Sequence, residues 1–382
     1  MTTRPLSSDD FRKKMAVSSK WAYFDHAAVS PISLPAQRAM RLWLEEAGAE
    51  GEVAWGHWVR RLQQIRARAA KMIGAETDEI ALVPNTTTGI NLVADGFPWQ
   101  EGDNIVTLSN EFPTNLYPWM NQKDRGIEVR QIEIDTATCN LQRIAQACDA
   151  KTRIVAISWV SFSSGWRLDL SEIVNLVHQK NAYLFLDAIQ GLGVFPIDIR
   201  QTPVDFLAAD GHKWMMGPEG AGIFFLQKQH LDLLRPIGVG WNSVVDSHNF
   251  SKRELNLRNT ASRYEGGSQN MVGFHALGAS LDLFAELGLT STASPIADRI
   301  SQVTELACER LQNIGAKIFT APIKKHQSGI ISFEIPGRDP HELRRLCLQT
   351  GVVLACREER LRISPHAYTS EADLDRLIDA LQ

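Results

Sequence analysis

Apolar residues along this chain fall into two alternating patterns. Short runs that are apolar at nearly every position, such as Ile80-Ala81-Leu82-Val83 and Leu184-Phe185-Leu186, read as strands covered on both faces. Between them lie stretches in which apolar residues return every third or fourth position, as in helices with one buried face. The pattern predicts strands at 21–25, 79–84, 104–109, 128–134, 153–160 and 184–187, and one running into Ala209-Asp210, with helices at 34–48, 57–73, 86–97, 140–149 and 170–180. Gly74 closes the second helix as a C-cap. Strands joined by helices of this length imply right-handed crossovers and a mainly parallel sheet. The strand at 220–226 follows its predecessor with no room for a helix, so it is expected to run antiparallel. The expected fold is α/β: a seven-stranded mixed sheet with helices on both faces.

After a polar, irregular stretch at 242–262 comes a long helix near 269–287. From 288 onward the pattern shortens to an α+β unit with helices at 294–313 and 339–350, strands near 316–321, 328–335, 352–357 and 360–364, and a final helix from Glu371. The expected organisation is a large domain over 21–262 and a small C-terminal domain over 288–382, with residues 1–20 packing nearby and the long helix as connector.

Composition narrows the class without choosing a function. The 382 residues are 44% apolar and 22% charged, which is ordinary for a soluble globular protein with a large core. A net charge of −4 with dispersed basic residues argues against nucleic acid or an anionic membrane as partner. The arginines at 60, 61, 66 and 68 have helical spacing and read as a solvated face. Five cysteines, irregularly spaced and without a CxxC pair, suggest neither a disulfide framework nor a metal site, and a reducing cytoplasm fits them. No window approaches the roughly 20 apolar residues of a membrane span, and Met1 to Lys20 lacks the apolar segment of a leader.

In open α/β sheets, chemistry collects where strands end in polar residues. Two such ends stand out, Asp187-Ala188-Ile189-Gln190 and Asp210-Gly211-His212-Lys213. A lysine used as a free nucleophile at neutral pH gives up about 4–5 kcal/mol of protonation free energy. An aldehyde cofactor removes much of this obstacle. With pyridoxal 5′-phosphate, Lys213 would form a Schiff base, exchange it with an amino-acid substrate and then act as a base beside the Cα. Asp187 would keep the pyridine nitrogen protonated, and Gln190 would reach the ring hydroxyl. Asn85-Thr86-Thr87-Thr88 opens a helix, where free N–H groups and the helix dipole favour a phosphate. Capping alone accounts for one threonine; three in a row point to the anion. Phe112, just past a strand end, can lie flat on a planar ring.

These segments, with Gly217-Pro218-Glu219-Gly220-Ala221-Gly222-Ile223, resemble the class V aminotransferase family of fold-type I pyridoxal-phosphate enzymes. That family includes cysteine desulfurases, kynureninase and isopenicillin N epimerase, and the resemblance covers nearly the whole chain. It implies that Thr87 and Thr88 hold the phosphate, that Asp210, His212 and Trp241 contact the cofactor, and that Ser161 and Ser163 lie near its ring. Desulfurase-like relatives generally stack a histidine where this chain has Phe112, and kynureninase has a phenylalanine in a similar Phe-Pro-Thr context. By the same resemblance Arg362 takes the substrate carboxylate, for which a planar guanidinium is well shaped, and His26 touches the substrate. Ser268 would cross a homodimer interface to the partner subunit's cofactor phosphate, so the active site would need two subunits. Trp166 would help to shape the pocket.

The shared machinery leaves the reaction open. A desulfurase needs a nucleophilic cysteine on a mobile loop before the carboxylate arginine, and Cys356, the one thiol nearby, sits in a strand pattern a few residues from Arg362. The segment Leu361-Arg362-Ile363-Ser364-Pro365-His366-Ala367-Tyr368 and the His26-Ala27-Ala28 opening look closest to the isopenicillin N epimerase-like branch. The expectation is therefore aminotransferase or epimerase chemistry at the α-carbon of an amino acid or a derivative. The alternatives are C–S cleavage through Cys356, of cysteine desulfurase or selenocysteine lyase type, and kynureninase-like hydrolysis. A non-catalytic relative would be expected to lose one of Asp187, Gln190, Lys213 or Arg362, and all four are present.

Overall fold

The computed structural model, which describes residues 7–134 and 141–382, sets seven of the predicted strands side by side. In chain order, after the short β1 (Ala22–Tyr23), they are β2 (Ile80–Val83), β3 (Asn104–Leu108), β4 (Glu128–Ile132), β5 (Thr152–Ser158), β6 (Tyr183–Asp187), β7 (Phe206–Asp210) and β8 (Gly222–Leu226). Their order in the sheet is β2-β8-β7-β6-β5-β3-β4. As expected, β8 is antiparallel to both its neighbours while β4, β3, β5, β6 and β7 run parallel.

The apolar runs are explained by which way alternate side chains point. Leu82, Val106, Val155, Leu186, Leu207 and Ile223 join one core cluster, and Ala81, Ile105, Ile154, Phe185, Phe206 and Phe224 join another on the opposite face. Fully burying one Val, Leu, Ile or Phe side chain contributes about 1.5–3 kcal/mol, so a strand apolar at every position is stable only when both faces are covered. Helices Trp55–Ile73 and Met271–Glu286 cover the first face and helix Thr86–Gly96 the second. Gly89 lets that last helix lie close to β7, because a Cβ there would stand 2.6 Å from the Ala208 Cβ. Gly74 closes helix Trp55–Ile73 with φ 71°, as the sequence predicts. Of the helix predicted at 140–149 the structure describes Gln142–Ala147; residue 140, Cys139 and residues 1–6 lie outside the described residues.

The C-terminal unit holds helix Pro295–Asn313, β9 (Lys317–Ile318), β10 (Ile331–Glu334), helix Pro340–Gln349, β11 (Val352–Val353), β12 (Ala355–Arg357), β13 (Arg360–Ile363) and helix Glu371–Leu381. Its antiparallel sheet has the order β12-β13-β10-β9. The strand predicted over 352–357 splits in two, because its halves find different partners: β11 pairs with β1, and β12 pairs with β13. Glu358 and Glu359, with φ 50° and 58°, make the two-residue turn that joins β12 to β13. The start of the chain is thereby tied to its end. Ser364 N also donates to Phe24 O at 2.6 Å, so the strand predicted at 21–25 belongs with the C-terminal unit and not with the seven-stranded sheet. Cys148, Cys308, Cys347 and Cys356 are free, and no described helix is long and apolar enough to cross a membrane.

Candidate active site

Parallel strands β5, β6 and β7 end at one edge of the sheet. Ser158 pairs with Asp187 there, Asp210 lies two residues beyond Asp187's partner Ala208, and all three line a cavity of about 310 Å³ together with Lys213. A tight turn aims the lysine. Gly211 N donates to Ala221 O and Gly217 N to Gly211 O, and a Cβ on Gly211 would lie 2.5 Å from Ala221 O, so only glycine fits the close approach. Desolvation pulls the Lys213 amine from 10.5 to about 8, opposed by Asp187 and assisted by the positive charges of Arg362 and Arg357. Burial raises Asp187 to about 6, with Ile189 N donating to Oδ1 at 3.1 Å and Lys213 both pulling the other way. A carboxyl desolvated in this way is well suited to a cation placed beside it.

The residues present fit pyridoxal phosphate. Asn85 caps helix Thr86–Gly96 by accepting from Thr88 N at 2.8 Å and from Thr88 Oγ1 at 3.0 Å, and Thr86 Oγ1 takes Asp210 N at 2.9 Å, fastening the helix start to β7. Thr86 and Thr87 both line the cavity, and the Thr87 hydroxyl lies 3.1 Å from Thr114 Oγ1. Sequence reasoning missed Thr114, which no pattern marked. The Phe112 ring is 43% exposed, rests edge-on against Phe162 at 5.3 Å and lies 5.4 Å from Lys213 Nζ, so an apolar face is open for a planar ring. Gln190 lines the cavity with its amide engaged: Nε2 donates to Ala27 O at 3.0 Å and Oε1 accepts from Trp214 Nε1 at 2.7 Å. His212 Nδ1 is 2.9 Å from Asp210 Oδ2, out of line for a hydrogen bond.

Several expected contacts fall elsewhere. Thr88 is used up in capping and does not line the cavity. His26 is fully buried, with Nδ1 2.9 Å from Ser364 O and Nε2 2.8 Å from Tyr368 Oη, and burial lowers its pKa to about 4. Its neighbours Ala27 and Ala28, not its ring, form the cavity wall. Trp166 is buried and stacks on His326 at 5.5 Å, and Ser161 and Ser163 bond within their own turn. Trp241 sits on the surface at a separate groove with Trp55 and Arg66, and Ser268, expected to act across a subunit interface, is exposed at the same groove. Their loops touch backbone to backbone, since a Cβ on Gly266 would lie 1.9 Å from Gly238 O.

Arg362 reaches the cavity from β13 but is 1% exposed and already bound. Its Nη2 is 3.0 Å from Asp25 Oδ1, and its Nη1 donates to Phe162 O at 2.6 Å. Arg357, on the same face of the β12–β13 hairpin, also lines the cavity. It donates to Cys356 O at 2.7 Å and has no carboxylate at ion-pair distance among the described residues. The sequence signal for it was available, because residues 355, 357, 360 and 362 share one side of a two-residue-turn hairpin. The same alternation sends Cys356 to the other side. Its sulfur lies 3.8 Å from His341 Nε2, outside the cavity lining, and burial pushes the thiol's pKa up.

Comparisons with known proteins identify the family and the fold. The family described as aminotransferase class-V matches residues 22–377. A probable cysteine desulfurase from Methanothermobacter thermautotrophicus is 30% identical over 352 residues, covering 91% of this chain and 86% of that protein. Among solved structures, the apo cysteine desulfurase from Thermococcus onnurineus NA1 superposes with a TM-score of 0.88 at 23% identity, over 99% of this chain and 97% of that one. A variant of the protein called C-DES, with glycine covalently linked to its pyridoxal-phosphate cofactor, gives 0.90 at 22% identity, over 97% and 98%.

Proposed function

Because the chain belongs to the aminotransferase class-V family of pyridoxal-phosphate enzymes, we propose that it breaks the carbon–sulfur bond of cysteine or a cysteine derivative. The observation that carries this reading is the 30% identity, across 91% of the chain, to a probable cysteine desulfurase, together with a lysine, a buried aspartate and two arginines around one cavity. It takes the place of the transamination or epimerisation expected from the sequence.

Bound pyridoxal phosphate supplies an electron sink for negative charge at the substrate Cα. The rest falls to the chain. Lys213, whose amine is lowered to about 8 by burial when free, anchors the cofactor and takes the Cα proton. Asp187 holds the proton on the ring nitrogen. Thr87 and the N–H groups opening helix Thr86–Gly96 bind the phosphate, and Phe112 covers the ring. Arg357 and Arg362 seat the carboxylate. No described thiol lines the cavity, and Cys356 faces away from it. Among the described residues no cysteine is placed to capture the sulfur, which favours elimination, cysteine and water giving pyruvate, ammonia and sulfide, over transfer of sulfur to an enzyme thiol.

The wider reading includes a homodimer, supported by the groove that holds Trp241 and Ser268 and by the exposed Phe250, whose ring lies 6.3 Å from that of Trp241. A cytoplasmic setting rests on the free cysteines. Division into a large and a small domain rests on the separate core of the C-terminal unit, around Phe333, Leu361 and Leu377.

Cofactor-loaded protein incubated with L-cysteine and L-cystine, with sulfide, pyruvate and alanine assayed together, tests the reaction. Pyruvate with sulfide supports elimination, alanine with sulfur passed to an added thiol marks desulfuration, and a keto acid with no sulfur release returns the assignment to transamination. Lys213→Ala should lose both covalent attachment of the cofactor and turnover; cofactor still fixed by borohydride in that variant would overturn the role of Lys213.

A further inference from the structure

Glu111 is a buried acid that the chemistry above leaves unused. It lies three residues past Leu108, the end of β3, and is 7% exposed. Ser158 N donates to its Oε1 at 2.7 Å, and the Ser158 hydroxyl bonds to its Oε2. Ser158 ends β5, pairs across the ladder with Asp187 and lines the Lys213 cavity. A carboxyl, a hydroxyl and the cavity thus lie in series, one strand away from the aspartate that meets the ring nitrogen. Asp187 is the charged group that faces Glu111; Ser158 and Asn115 are its polar neighbours. Burial pushes Glu111 up to about 7, and the charge on Asp187 adds to that shift, while Ser158 and Asn115 oppose it.

Capping the end of β5 accounts for only half of this arrangement. The Ser158 amide needs one acceptor oxygen, which a neutral glutamine would supply without the desolvation of an acid. What a carboxyl adds is a second oxygen whose protonation can change, placed on a hydroxyl that opens into the cavity.

We propose that Glu111 and Ser158 form a proton-gated relay that sets which way the Ser158 hydroxyl points in the cofactor cavity. With Glu111 ionised, both its oxygens accept, the serine proton is directed at Oε2, and Ser158 Oγ offers the cavity a lone pair. With Glu111 protonated, its O–H donates to Ser158 Oγ, and the serine proton turns into the cavity as a donor. The two states differ by one proton exchanged with solvent. The donor state suits an anionic oxygen on the bound cofactor or substrate, and the acceptor state suits a protonated group. Glu111 is a positioning residue in this scheme, acting through Ser158, and the scheme rests on the reading that the cavity holds pyridoxal phosphate.

Glu111→Gln tests it, because the amide nitrogen can donate to Ser158 Oγ and lock the donor state. In the cofactor-free protein a carboxyl whose folded pKa is raised loses stability as pH rises from the ordinary carboxylate range to the raised value. The variant's advantage over the wild type should be small at pH 5 and grow to a few degrees at pH 8. In cofactor-loaded protein, the visible absorption of the wild type should titrate between pH 6 and 8, and this step should vanish in Glu111→Gln and in Ser158→Ala. A melting difference independent of pH, or superimposable spectral titrations of wild type and Glu111→Gln, would overturn the relay. Absence of any cofactor absorption in the wild type would instead refute the cofactor reading, while the melting comparison still decides whether Glu111 titrates where proposed.

Discussion

Arg362 is held by Asp25. The guanidinium Nη2 stands 3.0 Å from the carboxylate Oδ1, across 337 positions of sequence, and with Phe162 O on Nη1 the arginine enters the cavity already committed on two of its nitrogens. Burial raises the Asp25 pKa, and Arg362 is the leading influence that lowers it. The pair locks the chain's first strand region to β13, so Arg362 has a structural duty besides any contact with substrate.

Arg357, with no carboxylate at ion-pair distance among the described residues, is the residue whose removal should reveal carboxylate binding without unlocking the fold. A charge-assisted hydrogen bond is worth about 1.5–3 kcal/mol, or roughly 10- to 150-fold in affinity. Arg357→Ala should raise KM for the amino acid within that range and leave the melting temperature nearly unchanged. A KM equal to that of the wild type would remove Arg357 from the site.

Cys356→Ala should retain at least half of the wild-type rate of C–S cleavage, since the sulfur packs toward His341 on the far side of its strand. Steady-state sulfide release measures this. A loss of ~100-fold or more, the scale expected when a group acting on the reacting atoms is deleted, would show that the hairpin rearranges to deliver the thiol.

Glu265 and Arg66 form a buried ion pair. Glu265 Oε1 also accepts from Leu82 N at 2.9 Å and Oε2 from Gln269 Nε2 at 2.8 Å, while Arg66 donates to Ile80 O at 2.7 Å. The network fastens helix Trp55–Ile73, edge strand β2 and the loop carrying Ser268 to one another. Glu265→Ala leaves the arginine buried without its partner and should lower unfolding stability by about 3–5 kcal/mol in urea titrations.

His178 and Asp205 give the fold a pH signature at the end of the sheet away from the cavity. His178 Nε2 lies 2.9 Å from Asp205 Oδ2, and Asp205 also takes Leu184 N and His230. The hydrogen bond to Asp205 raises the His178 pKa above 6.5. A raised histidine contributes stability that is fully present below its unfolded pKa and is lost as pH rises through the folded value. Asp205 is held below 3.8 by His178, His230 and Leu184 N against its own burial, so its contribution is present above that value and is lost on acidification. His178→Ala should therefore lower the melting temperature more at pH 5.5 than at pH 8.5. An equal loss at both would show that the ring packs without carrying charge.

The chain by itself determined whatever depends on near neighbours. Runs such as 80–83 and 184–186 became doubly covered strands because no other setting hides side chains on both faces, and Gly74 stopped its helix because glycine tolerates a positive φ. Lys213, Asp187 and Asp210 were legible for the same reason: each closes or follows an apolar strand, and strand ends in a parallel sheet meet at one edge. Tertiary structure decided which partner a side chain found among residues far away in sequence. It turned His26 inward to Tyr368 and Ser364, gave Arg362 to Asp25, and left Arg357 facing the cavity. It also split the strand at 352–357, because β1 from the far end of the chain claimed Val352 and Val353 while β13 claimed the rest. Periodicity fixes which residues share a face but carries nothing about what that face will meet, since the meeting depends on packing between segments hundreds of residues apart.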